Sequence, residues 1–149
     1  MKTIKILFVE DEKLLRTLFE DTVTGFGEEY KDYNFEMETA IDLKSSFEYL
    51  EEKPAPNIVI LDLRLPTGET GKNKEIPEEE NGFAILRLIK TDKKFLNTPV
   101  IVFTNLDDRE TEYICNKIGA DGFMIKSKVL PSELLDTIVK LAERKHSFS

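Results

Sequence analysis

Residues 4–12, Ile4-Lys5-Ile6-Leu7-Phe8-Val9-Glu10-Asp11-Glu12, decide the fold. An apolar run broken only by Lys5 is the pattern of a strand buried on both faces in the middle of a parallel sheet, and it stops abruptly on three acids. From Lys13 onward Leu14, Leu15, Leu18, Phe19 and Val23 recur at helical spacing until Gly25 and Gly27 supply a stop, so the strand leads into a helix. The same alternation then repeats along the chain. Residues 34–40 read as a less apolar edge strand, and Leu43, Phe47 and Leu50 mark a helix ended by Pro54 and Pro56. Residues 58–61 form a third strand, 83–89 the apolar stripe of a third helix, and 100–103 a fourth strand. Residues 111–118 read as a helix closed by Gly119, 123–125 as a short fifth strand, and 131–144 as a last helix carrying Leu134, Leu135, Ile138 and Leu141. Five strands alternating with five helices imply right-handed crossovers and a doubly wound α/β sandwich of three layers, its five-stranded parallel sheet in the order 2-1-3-4-5.

Composition narrows the function. With 149 residues the chain has the size of one ordinary domain, and 40% hydrophobic with 34% charged residues is the balance of a well-solvated globular protein. Residues 1–149 are therefore expected to form a single domain, with an extended loop at 67–81 after the third strand and no room for an output domain. No apolar run approaches the roughly 20 residues of a membrane helix, and the first strand begins without a cleavage site, which points to a cytoplasmic protein without membrane insertion. The single cysteine, Cys115, excludes an internal disulfide and reads as an apolar filler. A net charge of -8 without a basic cluster disfavours direct contact with nucleic acid.

In such a sheet, ligands bind outside the carboxyl ends of the strands, where the winding reverses between strands 1 and 3. Strand 1 ends in Glu10 and Asp11, strand 3 in Asp62, strand 4 in Thr104 and strand 5 in Lys126. Three carboxylates, a hydroxyl and an ammonium thus converge on one edge. Carboxylates within about 4–6 Å repel one another unless a cation intervenes, and an all-oxygen set that keeps room for water and phosphate suits Mg²⁺. Asp62 is then either a metal ligand alone or a nucleophile as well, because a carboxylate beside such an ion can attack a phosphoryl group. Thr104 and Lys126 would grip the remaining phosphoryl oxygens.

Four stretches, Phe8-Val9-Glu10-Asp11-Glu12, Leu61-Asp62-Leu63-Arg64-Leu65-Pro66, Phe103-Thr104-Asn105 and Gly119-Ala120-Asp121-Gly122-Phe123-Met124-Ile125-Lys126, resemble the motifs of response-regulator receiver domains. The match runs in order along nearly the whole chain. The resemblance implies a flavodoxin-like receiver sandwich and two-component signalling, in which Asp62 accepts a phosphoryl group from a sensor histidine kinase or a histidine phosphotransfer protein. It further implies Mg²⁺, or Mn²⁺, held directly by Asp11 and Asp62, through water by Glu10, and by the backbone carbonyl of Arg64. Thr104 and Lys126 would contact the phosphoryl group, and Phe123 would be the aromatic switch that swings inward as Thr104 moves, altering the surface at 107–118 for a downstream protein target. Self-association as a homodimer is left open. Such a protein promotes its own phosphorylation and dephosphorylation without being a conventional enzyme.

The chain departs from the family at two places. Ser127 stands where the family usually has a proline in a cis peptide, and the segment from Pro66 to Gly82 is longer than usual, with the acidic run Glu78-Glu79-Glu80. Bland readings also exist: Glu12 as a helix-start acid, Phe123 as core, His146 as a tail residue suited to a helix end. Rival functions are an unphosphorylated receiver-like binding module and an Asp-nucleophile, metal-dependent phosphatase, although Arg64 occupies the place of the second Asp in Asp-x-Asp. Flavin binding, allowed by the fold alone, fits poorly with an acidic loop after strand 1.

Overall fold

A computed structural model describes residues 2–25, 29–68, 78–106 and 108–145. The order is β1 (Lys2–Val9), α1 (Lys13–Gly25), β2 (Tyr33–Ala40), α2 (Leu43–Glu52), β3 (Ile58–Leu61), α3 (Glu78–Thr91), β4 (Val100–Thr104), α4 (Arg109–Ile118), β5 (Gly122–Ile125) and α5 (Pro131–Lys145). Every strand pair is parallel, and the sheet order is β2-β1-β3-β4-β5, as the alternation predicts. Two 3₁₀ turns, Lys93–Phe95 and Lys126–Lys128, are additions that the apolar pattern does not signal.

Successive strand residues face opposite sides of the sheet, so the continuous apolar runs feed two cores. Leu7, Val9, Val59, Leu61, Val100 and Val102 pack with Leu50, Ile85, Leu86, Ile89 and Cys115, under α2, α3 and α4. Ile4, Ile6, Phe8, Ile58, Ile60, Ile101 and Phe103 pack on the other face with Phe19, Leu134, Ile138 and Ala142, under α1 and α5. There the rings of Phe8 and Phe19 stack with centroids 4.9 Å apart. The stripe of α1 is narrower than its spacing predicts: Leu14 is 79% and Leu18 48% exposed. Both lie in the first two turns of α1, which follow the carboxyl end of β1 directly.

The helix ends follow from local chemistry. Asp42 caps α2 by accepting from Ser45 N at 2.7 Å, and the Ser45 hydroxyl accepts from Asp42 N, a reciprocal capping box. Asp108 caps α4 by accepting from Thr111 N at 2.7 Å. Helix α3 begins at Glu78, so the end of the expected 67–81 loop is helical; residues 69–77, Asp107 and His146 lie outside the described residues.

Gly119 closes α4 at φ +118, a left-handed conformation, while a Cβ there would meet only the Lys90 side chain at ordinary contact distance. The cost of Gly119→Ala is therefore one of backbone conformation and not of space. Urea unfolding should show a loss of about 1–2 kcal/mol with an unchanged denaturant slope.

Candidate functional site

The ladder transposes sequence into space. Val9 pairs with Leu61, Leu61 with Val102, and Thr104 with Ile125, so the residues at and just past these strand ends share one edge. Main-chain bonds fix them there: Glu10 N donates to Ala40 O at 2.9 Å and Asp62 N to Val9 O at 3.1 Å. Glu10, Asp11 and Asp62 each offer a carboxylate oxygen, all within 4.8 Å of one another. Glu10 and Asp62 are buried, whereas Asp11 is exposed at the mouth. Lys126 Nζ donates to Asp62 Oδ2 at 2.8 Å and lies 2.5 Å from Glu10 Oε1, an ion pair whose angles do not make a hydrogen bond. Arg64 N donates to Asp62 Oδ1 at 3.3 Å, and the buried Thr104 accepts from Leu106 N at 3.2 Å.

Burial is the largest influence on Glu10; with the neighbouring Asp62 carboxylate it pushes the Glu10 carboxyl up to about 7, against the opposing pull of Lys126. Burial alone would lower the Lys126 ammonium, but the adjoining Asp62 and Glu10 carboxylates outweigh this and carry it upward. One ammonium thus faces two buried carboxylates and a third at the mouth, an acidic excess that a hard divalent cation would balance. The donor set fits such an ion: Asp11 and Asp62 line a cleft of about 280 Å³, and a carboxylate oxygen of the buried Glu10 lies within 4.8 Å of theirs.

The family model of the response regulator receiver domain matches residues 6–139. The chain belongs to the response regulator receiver family. Oxygen regulatory protein NreC of Staphylococcus epidermidis is 27% identical to this receiver over 140 residues, covering 92% of the chain and 53% of that relative. The receiver thus spans about half the length of that relative. Chemotaxis protein CheY1 of Helicobacter pylori is 22% identical over 123 residues, covering 83% of the chain and 85% of CheY1. The receiver domain of a sensor histidine kinase from Pseudomonas aeruginosa PAO1, solved with a magnesium ion coordinated in its active-site cleft, shares the fold with a TM-score of 0.70, 18% identity, and coverage of 95% and 98%.

The cleft of this receiver is lined by Asp11, Asp62, Arg64, Thr104 and Lys126, all singled out in the sequence, and also by Glu12, Asn105 and Leu106. Glu12, read as a plain helix-start acid, forms part of the wall, and its N–H donates to Glu10 Oε2 at 3.2 Å. Arg16, which the sequence reading missed, donates from Nη1 to the Glu10 carbonyl at 2.9 Å. Phe123 lies half-buried on β5, packed against the core under α2–α4, away from the cleft wall. Cys115 is buried, and burial, helped by Asp108 and Glu112, pushes its thiol up to about 11, as suits a packing residue. No described peptide bond is cis, so Lys126 and Ser127 are joined in trans and open the 3₁₀ turn.

Lys126→Met would leave Glu10 and Asp62 face to face without their cation. In EDTA, urea unfolding should report a loss of about 3 kcal/mol, the scale of breaking a buried pair. Millimolar Mg²⁺ should recover part of that loss, and a variant as stable as the parent in EDTA would show that Lys126 does not balance these carboxylates.

Proposed function

We propose that this receiver accepts a phosphoryl group on Asp62 from a phosphohistidine of a sensor histidine kinase or a histidine phosphotransfer protein, with Mg²⁺ or Mn²⁺ bound at Asp11, Asp62, the Arg64 carbonyl and, through water, Glu10. The observation that carries the reading is the position of Asp62, buried at the centre of the site with two other carboxylate oxygens within 4.8 Å and Lys126 Nζ at 2.8 Å. Three crowded carboxylates with an ammonium at the carboxyl edge of a parallel sheet are where such folds place their functional sites.

The chemistry is a displacement at phosphorus. An Asp62 Oδ attacks, the new P–O bond forms as the donor's P–N bond breaks, and the imidazole nitrogen keeps the electron pair and takes up a proton. The bound divalent ion supplies neutralisation of the phosphoryl oxygens, which is the main electrostatic requirement of such a transfer. Lys126 exchanges its contact with Asp62 Oδ2 for a phosphoryl oxygen, and the Thr104 hydroxyl donates to another. The doubly charged product sits beside Thr104 and Lys126, so their displacement, with Phe123 following, would carry the signal to α4 and a downstream protein. The chain promotes its own modification and turns over no separate substrate. A cytoplasmic setting suits this chemistry, and among the described residues no helix is long and apolar enough to cross a membrane. The net charge of -8 argues against the receiver itself holding nucleic acid.

The donor is a macromolecule and needs a surface to rest on beside the cleft. Leu14 and Leu18 supply exposed apolar area on the turns of α1 that follow Asp11 directly.

Intact mass after incubation with acetyl phosphate and Mg²⁺ should show the gain of one phosphoryl group, lost with EDTA and in Asp62→Ala; undiminished labelling of that variant would sink the assignment of the acceptor. Leu14→Asp should leave acetyl phosphate labelling unchanged while slowing transfer from the partner kinase several-fold, measured by radiolabel transfer. Equal slowing of both reactions would place the effect in the site and not in docking.

A further inference from the structure

We infer that Asn81 and Gly82, at the start of α3, set the position of the Arg64 carbonyl and so act as positioning residues for the divalent-ion site; the inference rests on the metal site proposed above. The carbonyls on either side of Arg64 are held from a single turn of α3. Gly82 N donates to Leu63 O at 3.0 Å, and Asn81 Nδ2 donates to Leu65 O. The next two carbonyls are held by α2, with Leu43 N donating to Pro66 O at 2.9 Å and Lys44 N to Thr67 O at 3.0 Å. With Arg64 N on Asp62 Oδ1, the Arg64 peptide is oriented between fixed points on both sides.

Two features show that this hold answers to geometry more than to stability. A Cβ on Gly82 would lie 2.3 Å from Leu63 Cα and 2.7 Å from Asp62 O, both main-chain atoms, so only glycine lets the helix approach this closely. Asn81 is 1% exposed, and its Oδ1 is buried without a hydrogen-bond partner among the described residues. It satisfies the Leu65 carbonyl while burying an unsatisfied carbonyl of its own, so in stability the exchange is close to even. What a leucine of similar size could not supply is the N–H that directs Leu65, and through it the adjoining peptide. Mg²⁺ demands near-ideal octahedral geometry, whereas Ca²⁺ tolerates irregular and more numerous ligands, so a displaced carbonyl penalises the smaller ion.

The test compares Mg²⁺ and Ca²⁺ binding to the full chain by titration calorimetry, with thermal unfolding in EDTA alongside, for the parent, Asn81→Leu, Gly82→Ala and Asp11→Asn. Loss of an outer contact of this kind weakens metal affinity about 10–100-fold, so Asn81→Leu should lose at least about tenfold for Mg²⁺ and much less for Ca²⁺, with little change of melting temperature in EDTA. Gly82→Ala should show the same loss of selectivity; should it fail to fold, Asn81→Leu decides alone. Equal losses for both ions, or none, would overturn the positioning role while Asp11→Asn still weakens binding. If Asp11→Asn binds Mg²⁺ as the parent does, the metal site itself falls, and the positioning role with it.

Discussion

Glu10 and Asp62 are buried side by side because a parallel ladder aligns the ends of β1 and β3, and Lys126 is what makes that contact tolerable. Everything distinctive about the carboxyl edge follows from this crowding. Burial raises Glu10, the ammonium of Lys126 is held in its charged form between the two acids, and Asp11 stays at the mouth where water reaches it. Lys126 thus pairs with two of the three clustered carboxylates and holds their side chains in fixed positions at this edge.

The opposite edge of the sheet uses similar residues to a different end. Asp121 Oδ2 accepts from Val100 N at 2.8 Å and from Lys90 Nζ at 2.6 Å, joining α3 to the starts of β4 and β5. Lys94 donates to the Leu50 and Lys53 carbonyls and so closes the last turn of α2. These ammonium groups are spent on carbonyls and a single carboxylate, without a surplus of acid. Charge satisfied in pairs holds the scaffold; charge left in excess, at the other edge, makes a site.

Most of this was legible in the sequence because strand periodicity and strand ends are local signals. The runs at 58–61 and 100–103 are short, continuous and apolar, as buried parallel strands are, and once five strands alternate with five helices the parallel ladder does the rest, converting Glu10, Asp62, Thr104 and Lys126 from distant positions into neighbours. What escaped reading depends on tertiary geometry. Arg16, Asn81 and Gly82 act on main-chain atoms, and no residue-type pattern announces a hydrogen bond to a carbonyl. Asn105 and Leu106 enter the cleft wall through the course of the loop after β4. Leu14 and Leu18 keep helical spacing but are exposed, and spacing alone does not tell where a core ends.

The stretch after Asp62 is anchored on both sides of residues 69–77. Its first stretch is bonded to α2 through Pro66 and Thr67, Gly68 packs on the Asp42 carboxylate at φ +84, and the return is bonded through Asn81 and Gly82. The main chain that follows Asp62 is thus tied independently to two helices, α2 and α3, which cover the same face of the sheet.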